Sequence, residues 1–193
     1  MNYLGFLSEL SEKPDELSSR ARAAMFWVCG EGLCSGLGIS SPWRDWIEAA
    51  SWHRFQYATT GHMSAEGCSL ESQAMDLSNS EELSQHQQSV VGCYMAVLSA
   101  GSGSMDRYDA QFVIFPLMES ESIRLFEDIS LGDDEQEDEA FQQPRVQQAA
   151  RFMGGLVEAL LETPGPTAEF VNQLRQGAEV ISPCAGYEGL IAD

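Results

Sequence analysis

Apolar residues recur at steps of three and four along almost the whole chain, and this spacing constrains the fold more than any other feature. Such a stripe lies on one face of an α-helix, whereas a half-buried strand alternates at every second residue. The clearest stripe follows Pro144: Val146, Ala149, Ala150, Met153, Leu156, Val157, Leu160 and Leu161. Proline suits a first helical turn, where its missing N–H costs nothing, and Thr163-Pro164-Gly165-Pro166 ends the helix abruptly. Phe170, Val171, Leu174 and Ala178 predict a last helix that stops before Pro183, so that 144–182 forms a C-terminal helix pair.

The same period is readable upstream. Pro14 opens a helix carrying Leu17, Ala21, Ala24, Met25 and Val28, which fades at Gly30, Gly32, Gly36 and Gly38. Ser41-Pro42 is a cap followed by a first-turn proline; the helix behind it carries Trp43, Trp46, Ile47 and Ala50 and runs to about Thr60, before Gly61. A short, weak helix covers Ala65 to Leu77. Ser78 with Glu81 makes a capping box ahead of Leu83, Val90, Val91, Tyr94, Met95 and Leu98. After the flexible turn Gly101-Ser102-Gly103-Ser104, the residues Tyr108, Phe112 and Phe115 begin another apolar face that Pro116 interrupts. Gln111 to Met118 can be read as a buried strand, but with no partner strand in sight a kinked helix ending near Asp128 fits better. The expectation is one all-α domain over 1–193, a bundle of about six to eight helices.

Charge narrows the function. The chain has 30 acidic against 10 basic residues, a formal charge of −20. Phosphate binding depends on clustered Lys and Arg, so a nucleic-acid binder is excluded, and an anionic membrane surface is disfavoured for the same reason. At 44% hydrophobic residues the chain is too apolar to be disordered, and its length allows about 70% of the unfolded surface to be buried. No run approaches the roughly 18 apolar residues of a membrane span. Met1 to Leu10 shows no basic leader, and the five scattered cysteines (Cys29, Cys34, Cys68, Cys93, Cys184) read as reduced thiols. A cytoplasmic protein is expected.

Six acids fall in the seven positions Asp133, Asp134, Glu135, Gln136, Glu137, Asp138 and Glu139. They are expected in a solvated acidic loop over about 130–143, ahead of the Pro144 helix, whose positive N-terminal end they favour. Asp133, Asp134, Glu135, Glu137, Asp138 and Glu139 are candidate contacts for a basic protein partner. Trp43, Arg44 and Trp46 are the other candidates: Trp43 and Trp46 share a helix face, which packs into the core or forms an exposed binding patch. Trp52 points elsewhere, and Arg44 with Arg54 in the same helix speaks for the patch.

Reaction chemistry is weakly signalled. Gly32-Leu33-Cys34-Ser35-Gly36 matches a nucleophile elbow with Cys for Ser, but that motif needs a strand before it, and here a helix precedes. His53, His62 and Cys68, joined by Glu66, are candidate metal ligands, yet the paired short spacings of zinc sites are absent. His86 falls on the polar side of its helix. No catalytic residue, metal or cofactor is assigned from the sequence.

From Asp133 through Gln143, and on through Pro144-Arg145-Val146-Gln147-Gln148, the chain resembles the YjaG-like family of bacterial proteins. There an acidic turn precedes an Asn-Pro-x-Val-Gln helix start, and a Leu-Arg pair follows at about the interval of Leu174-Arg175. The stretch Trp43 to Trp52 is similar to a Trp-bearing helix of the family. Cys29-Gly30-Glu31-Gly32 lacks the family's Arg and proline, and the ending Ala185-Gly186-Tyr187-Glu188-Gly189 differs, which marks a divergent member. The YecA-like group shares a Cys-Gly element and an acidic linker but not the C-terminal helix pair. The resemblance implies an all-α fold and carries no site residues.

The leading functional expectation is a non-enzymatic interaction protein, in its specific form an immunity or inhibitor protein that covers a basic toxin or nuclease. A DNA mimic would need acids regularly spaced along an exposed face, and Asp133 to Glu139 is too short to show that. The alternative is a helical enzyme with a small metal or acid/base site between helices, using His53 or His62. A homodimer whose apolar face is completed by a second copy is a further expectation.

Overall fold

The computed structural model describes residues 3–12, 16–33, 43–67, 69, 70, 118, 121, 125 and 134–180. Its elements are α1 (Tyr3–Glu12), α2 (Ser19–Val28) continuing into a π turn (Cys29–Leu33), α3 (Trp43–Thr60), α4 (Asp134–Phe141), α5 (Pro144–Leu161) and α6 (Ala168–Val180). Among the described residues there is no strand, and the architecture is an all-α bundle. The stretch 71–117 lies outside the described residues, with most of the expected Ala65–Leu77 helix, the Pro116 kink and the helix end near Asp128; Met118, Glu121 and Leu125 are helical.

α2 is the centre of the bundle. Ala21, Ala23, Ala24, Met25, Phe26, Trp27 and Val28 are all buried, so this helix is enclosed on every side by α3, α5 and α6. Its small residues let neighbours approach, while Phe26 and Trp27 fill the space between them. It does not start at Pro14. Ser18 is the N-cap, its Oγ accepting the Ala21 N–H at 3.1 Å. A Ser cap satisfies a backbone donor that a proline four residues earlier cannot reach.

The C-terminal pair closes over α2. Val146, Ala149, Ala150, Met153, Leu156, Val157 and Leu160 of α5 are buried, and Leu161 packs against the same cluster from a partly exposed position. From α6, Val171 and Ala178 are buried, with Phe170 and Leu174 half-buried beside them. α6 crosses the π turn so closely that a Cβ on Gly32 would overlap the Ala178 methyl and lie 3.0 Å from the Arg175 carbonyl. Arg20 ties the ends together. Its Nε donates to the Ala58 carbonyl at 3.0 Å, and its Nη2 donates to those of Thr59 and Pro166, the latter at 3.1 Å. These carbonyls belong to the end of α3 and the α5–α6 loop, where helix termini leave acceptors unused.

The acidic run is not a loop. Asp134 to Phe141 is helical, and the correction has a local cause. Ala140 and Phe141 end the run and are fully buried, Phe141 meeting the rings of Tyr3 and Phe6 at 5.6 and 5.3 Å. One apolar turn therefore anchors the segment, and acids in the first turns suit a helix dipole. Glu137 and Asp138, four and three residues before Phe141, are carried round to the same side and half-buried against α1. Asp138 Oδ1 accepts the backbone N–H of Tyr3 at 3.1 Å, so that α1 is capped by a side chain 135 residues away. Burial pushes the Tyr3 phenol up to about 12, and the Glu137 charge adds to the shift.

Candidate functional site

α3 runs from Trp43 to Thr60 and stops at Gly61, whose φ of 76° lies in the left-handed region that terminates helices cheaply only for glycine. Trp46, Ile47, Ala50, Arg54 and Ala58 form its buried stripe. Trp46 is 7% exposed, so it packs in the core and cannot belong to a surface patch. Arg54, at 1%, is equally withdrawn, its guanidinium 5.7 Å from the Tyr57 ring. The physical reason is the period itself: positions 46, 50, 54 and 58 recur every fourth residue and point inward as one set. Trp43 and Arg44 lie in the helix, but their side chains are outside the described residues.

On the opposite side Trp52 stands 59% exposed. Trp27 of α2 donates its Nε1–H to Ser51 Oγ at 2.9 Å and stacks obliquely on Phe55 at 4.7 Å, fixing the rotation of α3 about its axis. That rotation leaves His53 at the rim of the helix, its side chain 12% exposed.

After Gly61 the chain turns back along α3. Ser64 caps the short turn that follows, its Oγ accepting the Gly67 N–H at 3.0 Å. The same Oγ lies 3.0 Å from His53 Nδ1. With one lone pair engaged by Gly67, the hydroxyl either donates to Nδ1 or accepts from it, according to the tautomer of the ring. Glu66 Oε2 stands 3.7 Å from Nε2, beyond hydrogen-bond length. Glu66 is 78% exposed. The turn leaves room for no side chain at this point: a Cβ on Gly67 would lie 3.2 Å from His53 Cβ and 2.6 Å from Met63 Sδ.

The structure thus brings together His53 and Glu66 from the candidate ligand set and adds Ser64, which the sequence reading did not single out. The sign that could have found it is Ser64 three residues before Gly67, a capping pattern facing a histidine across the Gly61 turn. His62 is exposed, its backbone N–H held by Thr60 Oγ1 at 3.1 Å, and Cys68 lies outside the described residues. Among the described residues no three His, Cys, Asp or Glu converge as metal ligands. The elbow-like Gly32 and Leu33 belong to the π turn that prolongs α2, so a helix and not a strand precedes them; Cys34 lies outside the described residues. Cys29 is buried.

Of the acidic candidates, Glu139 is exposed, while Glu137 and Asp138 are turned toward α1. Asp134 and Glu135 are helical with side chains outside the described set, and Asp133 lies outside it altogether. No described helix is long and apolar enough to cross a membrane.

No protein-family model matches the chain, and no curated protein does. Among solved structures, a DUF416 family protein from Shewanella baltica is similar over 93% of this chain and 96% of its own, with a TM-score of 0.56 and 15% identity. At that identity the likeness establishes a shared all-helical fold and nothing about chemistry.

Proposed function

We propose that this chain is an acidic helical binding protein of the bacterial cytoplasm, a divergent YjaG-like member that engages a basic protein partner in the manner of an immunity or inhibitor protein. The observation that carries the reading is the surplus of 20 negative charges on a body whose described interior is apolar except for Arg54 and Glu121. Carboxylates kept out of the core stand at the surface, where they steer a cationic partner and raise its association rate. Among the described side chains of the α4 run, Glu139 is exposed and contributes to that field. The test is recovery of the partner at low ionic strength followed by titration with salt. A basic partner whose binding weakens about tenfold or more between about 50 and 500 mM salt is expected, since surface charges are screened within about 10 Å at 0.1 M salt. A partner with a pI below 7, or binding indifferent to salt, refutes the reading. Light scattering on the purified chain decides whether a second copy completes the assembly.

The Ser64–His53–Glu66 arrangement favours a second reading, a helical protein with an acid/base site at the edge of α3. Its geometry supports proton transfer between a hydroxyl and an imidazole, with a carboxylate 3.7 Å from the far ring nitrogen. Loss of a slow, activated-ester hydrolysis on replacing His53 tests it.

A further inference from the structure

We propose that Ser64 is an activated nucleophile, with His53 as its base and Glu66 as the group that orients the ring, and that it accepts the acyl group of an uncharged or cationic ester. This rests on the second reading above. A serine hydroxyl is a weak nucleophile until a neighbouring base takes its proton, and the diagnostic geometry is base within hydrogen-bond reach of nucleophile, with a third group holding the base. Ser64 Oγ and His53 Nδ1 are 3.0 Å apart, and Glu66 Oε2 is 3.7 Å from the other ring nitrogen. The imidazole is turned the opposite way from the familiar serine triads, with Nδ1 and not Nε2 toward the nucleophile, but the roles are unchanged.

The Gly67 N–H occupies one lone pair of Ser64 Oγ, and when the ring hydrogen is on Nε2 the hydroxyl proton serves His53 Nδ1, so a cap and a nucleophile are compatible on one atom. Gly67 runs close beside His53, where an added Cβ would lie 3.2 Å from His53 Cβ and 3.3 Å from its Cγ. Ser64 is half-buried and Glu66 exposed, so the site opens at the surface. The charge of −20 repels anionic esters.

In the first half-reaction Ser64 Oγ bonds to the ester carbonyl carbon and its proton passes to His53 Nδ1. The tetrahedral species collapses, the ester C–O bond breaks, and the departing alcohol takes that proton. Water then attacks the acyl-serine, giving up a proton to Nδ1, and the proton returns to Ser64 Oγ as the acid leaves. The sum is ester plus water giving acid plus alcohol, with no oxidant, reductant or metal required.

The test uses the full-length protein, a fluorophosphonate that phosphonylates activated serines, and p-nitrophenyl acetate. Peptide mass mapping is expected to place the adduct on Ser64, with the labelling rate lowered about a hundredfold by His53→Gln, in the range of a lost general base. Glu66→Gln is expected to slow labelling several-fold while leaving the thermal midpoint unchanged, a split that a merely structural carboxylate would not produce. No adduct on Ser64, or labelling that His53→Gln leaves unchanged, overturns the proposal and leaves Ser64 a cap only. Ester hydrolysis that falls with His53→Gln but survives Ser64→Ala also overturns the nucleophile while the acid/base reading stands. Hydrolysis unmoved by either substitution removes both. Labelling of the unsubstituted protein settles the point even if a variant fails to fold.

Discussion

Replacing Gly154 and Gly155 by alanine is expected to stabilise the protein by about 2 kcal/mol. The two glycines sit in the interior of α5, between the buried Met153 and Leu156, where each costs about 0.8–1.0 kcal/mol relative to alanine through backbone entropy lost on folding. Nothing among the described residues comes within 4 Å of a Cβ built at either position, so the added methyls meet no resistance. Side chains one apart on a helix do not face each other, so the two backbone effects are summed. For a chain of this length about 2 kcal/mol raises the melting midpoint by roughly 4–8 °C. Thermal and urea denaturation followed by circular dichroism measure it, and an unchanged urea slope shows that the gain lies in stability and not in a changed unfolded state. Gly32→Ala is the built-in control. There the methyl runs into Ala178, and the cost of overpacking is about 1–3 kcal/mol with the opposite sign. A double variant with no rise in midpoint would refute the propensity argument and mean that something packs on this face of α5.

Three further outcomes follow from the contacts that join distant helices. Tyr3→Phe should flatten the alkaline limb of the stability curve: the folded phenol is raised to about 12 from 10.0, so its contribution is full below pH 10 and is lost as pH climbs through about 12, as a denaturation series at pH 9–12 would record. Asp138→Ala removes the acceptor for the Tyr3 N–H and should cost about 1 kcal/mol, with faster hydrogen exchange in α1. Arg20→Met keeps the aliphatic stem but strips the donors from the carbonyls of Ala58, Thr59 and Pro166; a loss of about 2–3 kcal/mol by urea denaturation is expected, and a loss below about 0.5 kcal/mol would deny the tie its role.

Much of this fold was legible because its helices carry their own punctuation. The stripe of α5, its proline start and the Pro-Gly-Pro stop are local signals, and so is the end of α3 at Gly61. α1 was not legible, since the group that caps it belongs to a helix that follows 135 residues later. The acidic run misled for a related reason: six carboxylates read as a solvated stretch, and the decisive residue, Phe141, gains its meaning only from the rings of Tyr3 and Phe6. At the site, His53 and Glu66 could be named as chemically competent residues. Their approach to each other depends on how the chain doubles back after Gly61, which spacing alone does not encode. Trp46 and Arg54 show the limit of residue-type arguments, because tryptophan and arginine favour binding surfaces only when the helix period leaves them outside.

The tie between Arg20 and Pro166 spans 146 residues, and that between Tyr3 and Asp138 spans 135. A chain emerging from the ribosome therefore exposes, for most of its synthesis, the sides of α1 and α2 that α4, α5 and α6 later cover. Folding has to wait for the last quarter of the polypeptide, and closing so large a loop is slow. A protein truncated before residue 134 would lack α4, α5 and α6, and would be prone to clump through the face of Phe6 that Phe141 hides in the finished molecule.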